Sequence, residues 1–171
     1  MTPRVRIEAI SEERREQVLD AMRRSVVFQR PWVQPPTTTA DYDRLLDRQA
    51  TPEFAGFLLL RRSDDELVGM CNLSQIFRGN LKSAYCGFGA VAGFDGKGYM
   101  REGVGLVISR AFGPLRLHRV EANVQPGNER SKALVRRLGF TKEGYSERYL
   151  KIGGRWRDHE RWAILAENWR D

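Results

Sequence analysis

The chain is poor in the residues that build metal centres and covalent staples. Its 171 residues include two cysteines, Cys71 and Cys86, and two histidines, His118 and His159. Neither cysteine lies in a metal-ligand spacing. This argues against a disulfide framework and a zinc site, sets the expectation of no metal, and points to a reducing compartment. Long apolar runs are missing too. Runs such as Phe57 to Leu60 are far too short to cross a bilayer, so no membrane partner is expected. The first ten residues, MTPRVRIEAI, alternate polar and apolar and lack the apolar core of a signal peptide, so a cytoplasmic location is expected. No repeat, low-complexity tract or linker interrupts the chain, and residues 1–171 read as one domain, a length at which a core forms without staples. There is no Gly-Lys-Ser/Thr ending of a P-loop and no GxGxxG dinucleotide fingerprint.

Arginine, by contrast, is abundant. The 29 basic residues are 24 Arg and 5 Lys; against 22 acidic residues they leave a net charge of +7. Such a balance attracts nucleic acid, ribosomes or a phosphorylated cofactor, although a coding bias toward arginine explains it equally well. No block of like charge forms a basic tail, so charge alone names no partner.

Hydrophobic patterning gives the element order. Arg4 to Ala9 alternates as a strand. Ser11, Glu12 and Glu13 read as a helix start ahead of an apolar face of Val18, Leu19, Met22 and Val26. RPWVQPP (Arg30 to Pro36) is a loop, and Thr39 is expected to cap a second helix burying Tyr42, Leu45 and Leu46. Strands follow at Phe54 to Leu60, Leu67 to Ile76 and Lys82 to Val91. Val104, Val107, Ile108, Ala111 and Phe112 mark an amphipathic helix, Arg119 to Val124 a strand, and Asn128 to Leu138 a helix closed by Gly139. Gly153–Gly154 is a tight hairpin turn. This order predicts an α+β fold, a mixed sheet with helices on both faces.

The chemical signal lies in GFDGKGYM at 93–100, where glycines precede a helix start. Glycines let the backbone approach a ligand, and the free N–H groups of a helix start favour an anion such as pyrophosphate. An ordinary helix start uses glycines in the same way. The signal gains weight from three segments downstream of it, in order: NERSKALVRRLGF (Asn128 to Phe140), KEGY (Lys142 to Tyr145) and GGRWRDH (Gly153 to His159).

This ordered set resembles the GNAT acyltransferases, and within them the group that acetylates the N-terminal alanine of ribosomal proteins. The resemblance covers most of the chain and is sharpest from Ala84 to Leu165. It implies a GNAT fold, a twisted, mostly antiparallel sheet of about seven strands, splayed at its centre, with about four helices and acetyl-CoA in the splay. It also implies that backbone groups of Ala90, Val91 and Ala92 hold the pantetheine arm and polarise the acetyl carbonyl. The pyrophosphate loop would be Gly96, Lys97, Gly98, Tyr99 and Met100. Asp95 stands where the family has Gln or Arg, and either repels the pyrophosphate or caps the helix. Asn128 would approach the pantetheine arm or serve as an N-cap. Ser131 would lie near the CoA sulfur and protonate the leaving thiolate, because the family's tyrosine acid is here Val135.

The family's glutamate base is here Leu150, which leaves Glu102, Glu147 and Asp158. Of these, Glu102 and Asp158 are the catalytic candidates, Asp158 either positioning the acceptor or tying the hairpin. A free base is not obligatory, since a peptide α-amine with a pKa of ~7.7–8.0 is partly neutral near pH 7. His118 and His159 read first as structural. Trp32 and Tyr149 are the candidate acceptor walls.

The expected activity is acetyl-CoA-dependent acetylation of a primary amine, the α-amine of a protein N-terminus of the ribosomal-protein alanine type. The open alternatives are a small-molecule amine acetyltransferase, a toxin-like aminoacyl-tRNA acetyltransferase, and a non-catalytic CoA- or RNA-binding module. Ribosome or RNA contact, and a monomer or homodimer, remain open.

Overall fold

A computed structural model of the chain describes residues 3–170. Seven strands form one sheet. In chain order the elements are β1 (Val5–Ala9), α1 (Arg15–Gln29), α2 (Thr39–Gln49), β2 (Phe54–Arg61), β3 (Leu67–Phe77), β4 (Ser83–Ala90), α3 (Tyr99–Phe112), β5 (Arg119–Val124), α4 (Glu129–Arg137), β6 (Thr141–Ile152) and β7 (Arg155–Leu165). The sheet order is β1-β2-β3-β4-β5-β7-β6, antiparallel throughout except where β4 meets β5. This is the expected fold.

The run Phe57 to Leu60 is apolar throughout because β2 is covered on both faces. Phe57 and Leu59 pack with Val104, Val107 and Ile108 of α3. Leu58 and Leu60 pack with Val18, Leu19 and Met22 of α1 and Tyr42 of α2. Each fully buried side chain of this kind contributes ~1.5–3 kcal/mol. Helix α3 seats closely on the sheet because residue 103 is glycine: a Cβ there would stand 2.6 Å from Leu59 Cδ1.

Helix boundaries follow local chemistry. A short 3-10 turn, Glu12–Arg14, precedes α1, and Ser11 makes no capping bond to the backbone. Its partner is the Glu13 carboxylate, whose pKa that bond lowers. The cap of α2 is Thr38 rather than Thr39. Thr38 Oγ1 accepts from Asp41 N at 3.1 Å, and Asp41 Oδ2 accepts from Thr38 N at 3.0 Å, a reciprocal capping box. Helix α4 ends as expected at Gly139, with φ 87°. Gly139 N donates to Arg136 O at 3.0 Å and Phe140 N to Val135 O at 3.0 Å, which satisfies the carbonyls of the last turn.

Strands β4 and β5 position the site. They pair over only three rungs, Ser83↔Arg119, Ala84↔Val120 and Tyr85↔Glu121. Beyond Tyr85 the two strands part, while β4 stays paired with β3 as far as Ala90. The parting opens the sheet at its centre.

Candidate active site

The opening is a cavity of about 770 Å³. One wall is Cys86 to Ala90 of β4, and the other is Asn123 and Val124 of β5. The loop before α3, the first turns of α4 and Phe28, Gln29, Trp32 and Val33 line the rest, and His159 of β7 also lines it. Strand alternation gives the β4 wall its chemistry. Val91 N donates to Val68 O of β3 at 3.0 Å, so residues 88 and 90 turn their backbone groups to the opposite edge, toward the parted β5.

Two polar side chains buried on α1 fix the end of this wall. Gln29 Nε2 donates to Ala90 O at 2.7 Å. Ser25 Oγ donates to Ala21 O at 2.7 Å and accepts from Ala92 N at 3.0 Å. Ser25 and Gln29 are 0% and 5% exposed, which is expensive for polar groups unless each is bonded. They continue the apolar stripe of Val18, Leu19 and Met22, and the half-buried Val26 does not. Sequence reasoning passed over them, although two polar residues in phase with an apolar stripe were the available signal.

Of the three positions expected to bind with their backbone, Ala90 lines the cavity. Val91 and Ala92 already spend their N–H groups on Val68 and Ser25, and Val91 sits in the core.

The loop before α3 turns on glycines with positive φ: Gly93 at 87°, Gly96 at 72° and Gly98 at 85°, the last being the N-cap of α3. No side-chain cap occupies that helix start, so its N–H groups face the cavity mouth with Gly96 and Gly98. Met100 lines the cavity and lies across β3, where a Cβ on Gly69 would come within 2.4 Å of its Sδ. Lys97 and Tyr99 do not line it. Lys97 Nζ lies over the Phe94 ring and Tyr99 under Arg4.

Asp95 neither caps the helix nor stands free. Its Oδ2 takes Arg130 Nη1 of α4 at 3.0 Å, across the mouth. The other lining carboxylate, Glu129, pairs with Lys132 Nζ at 2.6 Å. Arg101 and Arg137 also line the mouth and have no ion pair among the described residues. The cavity therefore presents arginine and helix-start N–H groups, a donor set that fits the phosphates of a CoA molecule.

Asn128 caps α4, its Oδ1 accepting from Ser131 N at 3.1 Å, and both residues line the cavity. Trp32 lines it as well, with its ring against Gly127. Glu102 and Asp158 are placed elsewhere. Glu102 takes the backbone N and the guanidinium of Arg4, at 2.8 Å and 2.7 Å, on the outer side of α3.

Asp158 braces the β6–β7 hairpin. Between Ser146↔His159 and Leu150↔Arg157, three residues of β6 oppose one of β7. Asp158 holds that bulge by accepting from Arg148 N at 2.8 Å and Tyr145 OH at 2.6 Å, which lowers its pKa. The bulge lays Tyr149 beside His159, ring centroids 6.4 Å apart. The Tyr149 hydroxyl also bonds Tyr85 of β4, which together with burial raises the Tyr85 pKa to about 12. Tyr149 thus reaches the cavity through His159 rather than lining it.

A sheet parted between its parallel strands, with a glycine-turned helix start at the opening, defines the GNAT acetyltransferase class, and the chain belongs to that family. The acetyltransferase (GNAT) domain matches residues 4–141. Among relatives, it is 41% identical over 125 residues to the probable N-acetyltransferase YjcK of Bacillus subtilis, covering 73% of this chain and 67% of that one. It is 38% identical over 113 residues to the ribosomal protein uS5-alanine N-acetyltransferase of Escherichia coli, covering 66% of this chain and 58% of that protein, little more than half its length. Mycobacterium smegmatis RimJ, solved in complex with CoA-disulfide, superposes with a TM-score of 0.85 at 26% identity, over 95% of this chain and 82% of the other. The spermidine N-acetyltransferase of Vibrio cholerae shares the fold, with a TM-score of 0.82 at 19% identity over 96% of this chain and 97% of that one.

Among the described residues no group of three or more His, Cys, Asp or Glu is placed to hold a metal ion, and no helix is long and apolar enough to cross a membrane.

Proposed function

We propose that this chain transfers the acetyl group of acetyl-CoA to the α-amine of a protein N-terminus, with ribosomal-protein alanine as the acceptor type. The observation that carries the acceptor class is the charge of the cavity. The lining carboxylates, Asp95 and Glu129, are both already ion-paired, so among the described residues the cavity offers no free carboxylate to a polycation. A polyamine acceptor needs unpaired carboxylates, whereas a peptide α-amine brings one positive charge at most and carries carbonyls that suit basic and amide donors. The uS5-alanine N-acetyltransferase of Escherichia coli supports the same reading by similarity.

The cosubstrate would lie with its pyrophosphate at Gly96, Gly98 and the start of α3, near Arg130, and its pantetheine arm along Phe88 and Ala90. The backbone edge of β4 would fix the acetyl carbonyl, and fixed donors of that kind act without reorganising during the reaction. Ser131 stands at the positive end of α4, where a departing thiolate is favoured. The seven strands in one sheet support reading the chain as one catalytic domain, and the proposed compartment is the cytoplasm. The net charge of +7 suits contact with a ribosome or another RNA-bearing partner.

Acetyl-CoA is incubated with the protein and alanine-, serine- and lysine-bearing peptides, spermidine and ribosomal proteins, and products are read by mass spectrometry. Acetylation on the α-nitrogen of alanine-initiated peptides is the expected product. Acetylated spermidine with untouched peptides would transfer the assignment to small amines.

A further inference from the structure

We infer that His159 is the proton acceptor of the transfer, and that the buried carbonyl of Asn123 holds the incoming amine beside it. The inference rests on the amine-acetyltransferase reading and adds the group that reading lacks, since Glu102 and Asp158 are engaged away from the cavity.

Strand register brings the two side chains together. Asn123 is the rung opposite Arg161, and His159 is two residues from Arg161, so all three rise from one face of the sheet. Asn123 and His159 both line the cavity, with Ser131 and the β4 wall. Each presents an acceptor with no partner among the described residues. Asn123 Oδ1 is buried and unbonded, and such a group is costly unless something arrives to bond it. His159 bonds through Nδ1, which lies 2.9 Å from Arg157 O. A carbonyl only accepts, so Nδ1 carries the proton and Nε2 carries a lone pair.

The surroundings favour the neutral ring. His159 is 3% exposed, and that burial, outweighing the carbonyl bond and the charge of Asp158, lowers its pKa from 6.5. On its own strand it is flanked by Arg157, Asp158 and Arg161. Tyr149 faces it from β6, and Tyr85 of β4 and Arg119 and Glu121 of β5 stand further along that face. Asp158 is spent on the β6 bulge and Glu121 on Arg119. A cationic ring would therefore lack a dedicated carboxylate.

The step balances without a co-reactant. The neutral amine forms a C–N bond to the thioester carbon and its nitrogen becomes positive. His159 Nε2 takes one N–H proton, the C–S bond breaks, and the thiolate leaves with that electron pair. The thiolate, met by a hydrogen bond from the Ser131 hydroxyl, takes a proton from solvent, and the imidazolium returns its own to solvent. The sum is amine plus acetyl-CoA giving amide plus CoA thiol. A base with lowered pKa suits this order, because the proton leaves a nitrogen that attack has already made acidic.

The test begins on the protein without substrate. The chain has only two histidines, so ring-nitrogen NMR with His118→Asn for assignment isolates His159. A neutral Nδ1–H tautomer that titrates below 6.5 is expected, and an Nε2–H tautomer would overturn the inference. Turnover is then followed against pH with alanine-initiated peptide, benzylamine and spermidine. Expressed per neutral amine, kcat/KM should fall on the acid side with the pKa found by NMR. His159→Gln should remove that limb and lower kcat about 10²-fold or more, while keeping the thermal shift induced by CoA. Asn123→Ala should raise acceptor KM with a smaller change in kcat. Should His159→Gln not fold, agreement of the NMR and kinetic pKa values in the parent decides, and disagreement refutes the inference. A variant within threefold of the parent also refutes it. A parent that binds CoA but acetylates none of these amines overturns the functional reading and this inference together, whereas turnover with an unaffected His159→Gln overturns the inference alone.

Discussion

The side-chain amide of Gln29 donates to the backbone carbonyl of Ala90 at 2.7 Å, reaching from the last turn of a helix to the last residue of the strand that forms the cavity wall. The bond uses a carbonyl on the edge where β5 has turned away, and so fixes the end of β4 without a strand partner. Gln29→Leu leaves that part-buried carbonyl without its donor, at a cost of about 1 kcal/mol. Urea unfolding should show the loss, and CoA affinity should fall with it. Unchanged affinity would mean that the wall holds its shape through β3 alone.

Binding of CoA at the α3 helix start should raise the unfolding temperature, since a ligand at ~100 times its Kd adds about 2.7 kcal/mol. Gly98→Glu should abolish the rise. It forces a side chain onto a residue at φ 85°, beside Arg4, and brings negative charge to the anion site. Differential scanning fluorimetry with and without CoA reads both effects.

Asp95 neutralises Arg130 across the mouth. Asp95→Asn frees that guanidinium and removes a negative charge from the phosphate end. CoA should bind several-fold more tightly, with a steeper dependence on salt, by isothermal titration. Stability should change by well under 1 kcal/mol, because the pair is largely exposed. Weaker binding would show that the carboxylate helps to order the loop.

Ser131→Ala should fold and bind CoA as the parent does, and acetylate about 10²-fold more slowly at saturating substrates, the signature of an interaction made only in the transition state. A kcat within twofold would reduce Ser131 to a residue held by the Asn128 cap.

Glu8 lies between Arg14 and Arg6, with its carboxylate oxygens 2.8 Å and 2.7 Å from their guanidinium nitrogens. Arg14, then Arg6, outweigh burial and lower its pKa to about 2 from 4.5. A lowered folded-state pKa stabilises fully above the unfolded value and is lost as pH falls toward the folded one. Stability should therefore decline between about pH 4.5 and 2, and Glu8→Gln should flatten that decline in acid unfolding curves.

Much of this was legible from periodicity. The strands, the α3 and α4 faces and the hairpin at Gly153–Gly154 are set by local patterns of apolar residues and glycine, which the sequence displays directly. The glycine loop and its place before a helix were legible for the same reason. What was not legible depends on contacts between distant segments. Glu102 looked free in the first turn of α3 until Arg4, 98 positions away, was found bonded to it. Asp158 read either as positioning the acceptor or as tying the hairpin, and the β6 bulge that engages it leaves no signature in local composition to separate the two. Asp95 found Arg130, 35 residues downstream. His159 read as ordinary because its value comes from register: β7 must lie beside β5 for that ring to meet Asn123.

The three rungs at Ser83, Ala84 and Tyr85 have a mechanical consequence. Among the described residues they are the only strand pairing between β1–β4 on one side and β5, β7 and β6 on the other. A molecule lodged beyond that seam touches both halves and acts as mortar between them. Filling the cavity with CoA should slow amide hydrogen exchange most at the inner edge of β5 and at the Tyr85 rung, and hardly at all in β1 and β2. Cosubstrate loading would then be read as stiffness at the centre of the sheet.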